Sequence, residues 1–110
     1  MKDVIIKKSN IDQFDKGAFA NRDFRKGKIV IRYHLTSLTE EEYHNLSEEE
    51  KKFTHSQKGV IHLYSEPERY VNHSNNPNTV QDLKNMCDIA IRDIINGEEI
   101  TTDARKDDIF

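Results

Sequence analysis

The apolar positions of this chain fall in short runs separated by polar residues and glycines, a pattern typical of β-strands. Runs rich in β-branched residues occupy 3–9, 29–34 and 59–64, and each predicts a strand. Between the first two lie a loop-like stretch, 10–17, and a stretch with a glycine in a turn-like setting, 18–28. The first half of the chain is therefore expected to consist of strands joined by turns and loops.

The clearest alternation spans residues 87–94. Its odd-numbered positions from Cys87 would share one face of a strand, and its even-numbered positions from Asp88 would share the other. The dipeptide Asn96-Gly97 that follows is a strong turn signal. Residues 98–102 are predicted to form another short strand after that turn.

A different pattern between residues 35 and 53 predicts two short acidic helices. Thr39 and Glu42 have the spacing of a capping box, in which two side chains satisfy the free backbone N–H groups of the first helical turn. Ser47 and Glu50 have the same spacing. The run of glutamates is expected to form a solvated helix face.

Composition agrees with one small domain. The chain has 110 residues, of which 35% are hydrophobic and 34% charged, and its net charge is −3. Because the basic residues form no stripe, direct nucleic-acid binding is not expected. The predicted architecture is mostly β. Residues 1–110 would form a single domain, with a variable helical insert at 35–58 and a tail or lid at 105–110.

Neither disulfide chemistry nor a membrane segment is expected. Cys87 is the only cysteine, so the chain holds no internal disulfide and no Cys-x-x-Cys pair, and no metal is predicted. No apolar run approaches the ~18 residues of a membrane span, and the amino terminus lacks the features of a secretory signal. A soluble, cytoplasmic protein is the expectation.

The stretch RYVNHSNNPN at 69–78 holds four asparagines, a histidine and a serine. Short amides can pair backbone groups that no strand ladder satisfies, so the stretch suits a buried, irregular segment. It also suits two surface turns with local side-chain hydrogen bonds and no ligand. The composition of the stretch leaves both interpretations open.

Three segments taken together resemble the SET domain, the fold of a large class of protein-lysine methyltransferases. They are GAFANRDFRKG at 17–27, RYVNHSNNPN at 69–78 and IRDIINGEEITTDA at 91–104, in the order of the family pattern. The resemblance implies several short curved β-sheets of the β-clip type, with a carboxyl-terminal segment threaded as a pseudoknot. The length of the chain resembles that of the smallest bacterial and viral members.

The resemblance also implies S-adenosylmethionine as the cofactor. By analogy, the Asn72 side chain would bind its methionine end, and His73 would present backbone groups to its adenine. Gly17 would let the backbone approach the cofactor without a Cβ in the way. Phe19 and Arg69 would shape the pocket.

Two positions leave alternatives open. Arg69 could equally be a surface residue that pairs with an acid such as Glu66 or Glu68. Asp15 stands where the family has the first glycine of a G-x-G motif. A carboxylate there is unfavourable beside the cofactor carboxylate unless it points away or pairs with the cofactor ammonium.

The implied substrate is a lysine of a protein or peptide, in a channel formed by Phe53, Tyr70 and Phe110. The family's motif GEELTYDY ends in a tyrosine that is usually essential, and the alignment places Ala104 there. Phe53 stands at a second position where small SET proteins carry tyrosine. The candidates to supply a hydroxyl instead are Tyr33, Tyr64 and Tyr70.

Three functions follow from this pattern. The first is methylation of a protein lysine. The second is a catalytically impaired SET module that binds cofactor or peptide without turnover, which Ala104 and Phe53 favour. The third is a small β-rich adaptor with no pocket, against which the intact NHS and GEE segments argue. A homodimer that completes the site is a further hypothesis.

Overall fold

The computed structural model describes residues 2–11 and 16–103. Its elements in chain order are β1 (Val4–Lys8), β2 (Lys16–Ala20), β3 (Ile29–Arg32), β4 (Thr36–Leu38), α1 (Glu40–His44), α2 (Glu48–Lys51), β5 (Thr54–Gln57), β6 (Val60–Leu63), a 3₁₀ turn (Glu68–Tyr70), β7 (Asn72–His73), β8 (Thr79–Asp82), β9 (Cys87–Ala90) and β10 (Thr101–Thr102). The mostly β architecture with short strands and a small helical part, expected from the sequence, is confirmed.

The strands form four small sheets. β1 pairs antiparallel with β2, β9 lies between β3 and β8, and β6 lies between β4 and β5. β7 and β10 are the pair that runs parallel among the described strands. Sheets of two or three short strands are marginal by themselves, so the fold depends on a core that they share.

One hydrophobic core joins these sheets. Ile94 and Ile100 are its largest fully buried aliphatic side chains, at 1% and 0% exposed. Burying one such side chain contributes about 1.5–3 kcal/mol. The remaining core residues come mainly from the strands β1, β2, β3 and β9: Val4, Ala18, Ala20, Phe24, Val30, Ile31 and Ala90. The burial of Ile100 fixes the position of the polar residues that flank it along the chain.

Both predicted helix starts are present. The Thr39 hydroxyl accepts from Glu42 N at 3.1 Å, and the Glu42 carboxylate accepts from Thr39 N at 2.9 Å. Ser47 accepts from Glu50 N at 3.1 Å. Neither helix buries a residue, so the glutamates face solvent as expected. The strands β4 and β5, which the sequence pattern did not indicate, flank the two helices and pair with β6.

The alternation predicted for residues 87–94 does not separate the inside from the outside. β9 ends at Ala90, and both Cys87 and Asp88 are 1% exposed, whereas Ile91 is 41% exposed. β9 is the central strand of its sheet. Because Cys87 and Asp88 point to opposite faces of β9 and both are buried, both faces of the strand are covered. Alternation along the strand therefore does not predict which residues are buried.

The turn predicted at Asn96-Gly97 is present, and Gly97 has a φ of 97°, which favours glycine. The chain after this turn does not form a hairpin with β9. It pairs with β2 and β7 instead.

Within the part of the chain that the structure describes, no helix is both long enough and apolar enough to cross a membrane. The same residues contain no cluster of three or more side chains suited to bind a metal ion. The predicted tail at 105–110 lies outside the described residues.

Candidate functional site

Residues 97–102, here called the carboxyl segment, connect distant parts of the chain. Its first half runs along β2, where Ile100 N donates to Ala18 O at 2.7 Å. Its second half is β10, which pairs in parallel with β7 so that Thr101 lies opposite Asn72. A parallel pair requires a crossover connection and cannot be made by a tight turn. The asparagine-rich stretch and the GEEITT motif, which are far apart in sequence, therefore meet in one place.

Asn78 holds this junction together. Its side chain is 1% exposed, its Nδ2 donates to Glu99 O at 2.9 Å, and its Oδ1 accepts from Thr101 N at 2.9 Å. The amide thus replaces a strand neighbour for two backbone groups that would otherwise be buried without partners. Thr79 adds a hydrogen bond from its hydroxyl to Thr101 O at 2.7 Å.

Glu99 is the centre of a polar network beside this junction. Its carboxylate accepts from the Ser9 hydroxyl at 2.7 Å, from Asn10 N at 3.0 Å and from Asn72 Nδ2 at 2.9 Å. Hydrogen bonds to a carboxylate are stronger than those between neutral groups. The network therefore ties the end of β1, the start of β7 and the carboxyl segment to one another.

Gly17 provides the space for this carboxylate. A Cβ at Gly17 would lie 2.4 Å from Glu99 Oε2 and 3.2 Å from Ser9 Cβ. The backbone of Gly17 does not have a positive φ, so the glycine is required by space and not by backbone conformation. The family resemblance predicts that Gly17 lets the backbone approach the cofactor, and in this structure the group that a Cβ at Gly17 would meet is the Glu99 carboxylate.

The orientation of the Asn72 amide follows from its neighbours. Its Nδ2 faces Lys16 O at 2.9 Å and Glu99 Oε2 at 2.9 Å. Carbonyl and carboxylate oxygens only accept, so the nitrogen must face them and the amide oxygen must point away. No residue of the described ranges donates a hydrogen bond to that oxygen. Asn72 thus presents a fixed acceptor, which suits a cationic donor.

Two other predicted cofactor residues lie near this network. Phe19 is 2% exposed, forms an isolated bridge with Glu99, and carries Lys7 Nζ 4.5 Å from its ring centre. His73 follows Asn72 on β7 and is exposed, with its Nδ1 3.6 Å from Asp103 Oδ1. Phe19 thus supports Glu99 from the core, and His73 lies at the surface of the junction.

Arg69 belongs to a different region. Its Nε and Nη2 donate to Tyr64 O at 2.9 and 2.7 Å, and its Nη1 lies 3.0 Å from Glu50 Oε2. The guanidinium also stacks on Phe53, 4.6 Å from the ring centre. Among the described residues its acidic partner is therefore Glu50, on α2, and not Glu66 or Glu68.

Arg69 and Phe53 form part of the wall of a cavity of about 160 Å³, here called the aromatic cavity. Tyr33 and Tyr64, two of the three tyrosines considered as hydroxyl donors, also line it. The third, Tyr70, packs its ring 5.7 Å from that of Phe53 but does not line the cavity. The other lining residues are Lys52, Glu68, Val71, Gln81, Asp88 and Thr102.

Two buried carboxylates belong to this wall. Asp88 is 1% exposed and accepts a hydrogen bond from the Tyr33 hydroxyl. The Glu68 side chain is 1% exposed and accepts from His34 N at 2.6 Å and from Ser65 N at 3.2 Å, both through Oε2. Carboxylates are rarely this buried without a specific reason, and no pattern in the sequence predicted the burial of Asp88.

Cys87, next to Asp88, does not provide a nucleophile. Burial is the main reason that the pKa of its thiol is raised, and the carboxylates of Asp82 and Asp88 raise it further. A thiol with a raised pKa is protonated and unreactive at neutral pH.

A larger concavity among the described residues lies elsewhere. It measures about 500 Å³, is wide open, and lies between β1 and β3, lined by residues such as Ile6 and Ile31. It contains none of the residues predicted to bind cofactor or substrate. Because polar side chains line the aromatic cavity beside its aromatic rings and this groove is mainly apolar, we assign the candidate site to the cavity and the adjacent Glu99 network.

Three predicted positions, Asp15, Ala104 and Phe110, lie outside the described residues. Sequence reasoning missed Asn78, Glu99 and Asp88. Asn78 and Glu99 belong to the NPN and GEE motifs, and that membership is the sequence signal that could have identified them as site residues. Asp88 had no comparable signal.

The family model described as SET domain matches residues 15–103. No protein with a curated description matches the sequence significantly.

Two solved structures illustrate the similarity of fold. A Plasmodium falciparum protein described as a candidate histone methyltransferase matches with a TM-score of 0.72 and 21% identity, over 94% of this chain and 93% of that one. A humanised mutant of the Chaetomium thermophilum Polycomb Repressive Complex 2, with a bound inhibitor, matches with a TM-score of 0.70 and 25% identity. That match covers 96% of this chain but only 15% of the other.

Proposed function

The chain belongs to the SET domain family, and from this premise we propose that it transfers a methyl group from S-adenosylmethionine to a lysine side chain of a protein. A structure in the same group of matches, described as ctPRC2, is bound to S-adenosylmethionine (TM-score 0.72, 23% identity). The observation that carries the proposal is the fixed acceptor of Asn72 beside the Glu99 network. It lies next to a cavity with aromatic walls.

The residues around Glu99 fit the methionine end of the cofactor. When bound, S-adenosylmethionine supplies an electrophilic methyl group on a positively charged sulfur. The Asn72 amide oxygen, directed away from Glu99, would accept a hydrogen bond from the cofactor ammonium. The Glu99 carboxylate gives the neighbourhood a negative charge that favours a cation. His73, exposed at the end of the junction, would offer backbone groups to the adenine.

The aromatic cavity fits the lysine. A free lysine has a pKa of ~10.4, so only about one in 10³ is neutral at pH 7. The amine must therefore lose a proton before it attacks, and the aromatic rings of Tyr33, Phe53 and Tyr64 would pack against the methylenes of the lysine. The same walls would exclude water and hold the nitrogen in line for attack.

Tyr33 is the residue that we propose as the source of the missing hydroxyl. Its hydrogen is donated to the buried Asp88 carboxylate, so its oxygen can act toward the cavity only as an acceptor. An acceptor at this position would orient the amine N–H groups and stabilise positive charge as it forms on nitrogen. Tyr64, whose ring centre lies 6.0 Å from that of Tyr33, would complete the wall.

Calorimetric titration with S-adenosylmethionine tests the cofactor site. We expect micromolar binding by the wild type and a loss of at least about tenfold in affinity for Asn72→Ala, because one charged hydrogen bond disappears. Asn76→Ala is the matched control, since Asn76 is an exposed residue of the same stretch. Absence of binding by the folded wild type would refute the methyltransferase function.

A second function is supported by the sequence at two places. Ala104 has no hydroxyl where the family has its essential tyrosine, and Phe53 lies in the cavity without one. A module that binds cofactor and a lysine without turnover would show calorimetric binding but no mass increase of a lysine substrate. In that case Ala104→Tyr is expected to restore transfer, whereas an active wild type would exclude this function.

A further inference from the structure

Three buried polar atoms on the wall of the aromatic cavity have no hydrogen-bond partner among the described residues. They are Thr102 Oγ1, Gln81 Oε1 and Glu68 Oε1. The nearest cationic atom to Glu68 Oε1 is His34 Nδ1 at 3.8 Å, which is too far for a hydrogen bond. Thr102 is 4% exposed and the Glu68 side chain is 1% exposed. Bulk water therefore reaches neither side chain freely.

Unsatisfied buried polar atoms are rare in folded proteins, and each lowers the equilibrium constant of folding by roughly an order of magnitude. A ligand in this cavity of about 160 Å³ would supply hydrogen-bond partners to these oxygens. At roughly 30 Å³ per water, the cavity has the volume of about five waters. That volume suits the four methylenes and the nitrogen of a lysine side chain.

The charges of the wall favour a cation that donates hydrogen bonds. Two carboxylates, Glu68 and Asp88, are buried there. Of the basic residues on the wall, Arg69 directs its guanidinium at Glu50 and at the Tyr64 carbonyl, and Lys52 is exposed. The buried surface of the cavity thus presents oxygen acceptors and negative charge.

We propose that the aromatic cavity selects lysine without methyl groups, so that the protein adds a single methyl group. This inference rests on the proposed function and concerns the same site. An unmethylated ammonium carries three N–H donors that the oxygens of the wall can accept. Each methyl group removes one donor and adds volume, and a trimethylammonium has no donor at all.

The reaction balances with this selection. The ammonium first releases one proton to water, and the nitrogen lone pair then forms the bond to the methyl carbon. The carbon–sulfur bond breaks with its electron pair left on sulfur. The product nitrogen has two N–H bonds instead of three, so one oxygen of the cavity loses its partner and a second round is disfavoured.

Titration with two small amines, followed by NMR, tests the selection without cofactor. The probes are n-butylammonium and butyltrimethylammonium, which share a four-carbon chain and differ in N–H donors. We expect n-butylammonium to bind at least about tenfold more tightly to the wild type, with shifts at Tyr33 and Thr102. Equal affinity, a preference for the trimethyl probe, or no binding of either would overturn the proposal.

Variants of the cavity wall test which residues produce the preference for n-butylammonium. Thr102→Val removes one polar atom and Gln81→Leu removes both polar atoms of the amide, each at similar size. Each variant is expected to reduce the preference for n-butylammonium by about threefold to tenfold. Thr36→Val, at an exposed site on β4, is the matched control and should keep the preference. An unchanged preference in both cavity variants would contradict the assignment. These measurements do not depend on S-adenosylmethionine, so a failed calorimetric titration and a failed amine titration are distinguishable.

Discussion

Two polar regions of this small domain lie close along the carboxyl segment, yet they differ in how their polar atoms are satisfied. The Glu99 carboxylate receives hydrogen bonds from Ser9, Asn10 and Asn72. The aromatic cavity, in contrast, contains three buried oxygens to which the described chain donates nothing. In the first region, groups of the protein itself satisfy the Glu99 carboxylate. In the second region, only a ligand can satisfy the three oxygens to which the described chain donates nothing.

The difference matters because removing a polar group has opposite consequences in the two cases. Removal of one partner of a buried hydrogen bond leaves the other partner buried without a hydrogen bond, which lowers the free energy of unfolding by roughly 1–3 kcal/mol. Removal of an atom that has no partner costs little or can stabilise the fold. Mutations in the Glu99 network and at Asn78 should therefore lower the free energy of unfolding. Mutations in the aromatic cavity should instead change ligand affinity and the rate of methyl transfer.

The largest effect is expected for Tyr33→Phe. Loss of one preorganised polar group at the reacting nitrogen should lower the rate of methyl transfer by roughly 10²–10³, with cofactor affinity unchanged. Rates and calorimetric affinities would be measured for this variant and for Tyr43→Phe, a control on α1 outside the cavity. A rate within twofold of the wild type would show that the hydroxyl comes from another residue.

The next largest effect is expected for Asn78→Ala. Glu99 O and Thr101 N would both lose their partner in the buried junction, so the free energy of unfolding should fall by roughly 2–4 kcal/mol. Urea unfolding measures this change. Asn85→Ala, at an exposed site, is the control, and an equal loss for the two variants would contradict the role of Asn78.

Gly17→Ala should cost roughly 1–3 kcal/mol and weaken cofactor binding, because its Cβ would lie 2.4 Å from Glu99 Oε2. Glu99→Asp in the same chain withdraws the carboxylate by one methylene and should restore part of the loss. The control is Gly59→Ala, where a Cβ meets nothing within 4 Å but φ is 81°. Glu99→Asp should not rescue that control. Additive effects of Gly17→Ala and Glu99→Asp would exclude a direct clash.

The smallest effect on stability is expected for Thr102→Val. Its hydroxyl is buried without a partner, so the free energy of unfolding should stay the same or rise, by up to about 1.4 kcal/mol. Thr79→Val, which removes the hydroxyl bonded to Thr101 O at 2.7 Å, should destabilise by roughly 1–2 kcal/mol. Urea unfolding of both variants measures the two changes in the free energy of unfolding. Equal losses would contradict the claim that the polar atoms of the two regions differ in hydrogen bonding.

Local sequence signals predicted the parts of the fold that depend on neighbours in the chain. The β-branched runs became β1, β3 and β6, and the two capping pairs begin α1 and α2. β2 was missed because KGAFA has few residues that favour strands by themselves. It is a strand because it pairs with β1 along five residues and with the carboxyl segment on its other side.

The sequence predicted only those site residues that belong to the family motifs. The family motifs placed Gly17 and Asn72 near the cofactor, and the structure brings both to Glu99. Arg69 was assigned to the same pocket, but it lies on the wall of the aromatic cavity with Glu50 as its partner. The burial of Asp88 depends on contacts with Tyr33, 55 residues away, which no local pattern reports.

The most direct test of two separate binding regions is a map of ligand-induced shifts in the two-dimensional amide NMR spectrum. S-adenosylmethionine should move the signals of Gly17, Asn72 and Glu99, and n-butylammonium should move those of Tyr33, Gln81 and Thr102. Two distinct sets of shifts are the predicted result. If both ligands move the same signals, or if S-adenosylmethionine moves none of them, the assignment of cofactor and lysine sites is contradicted.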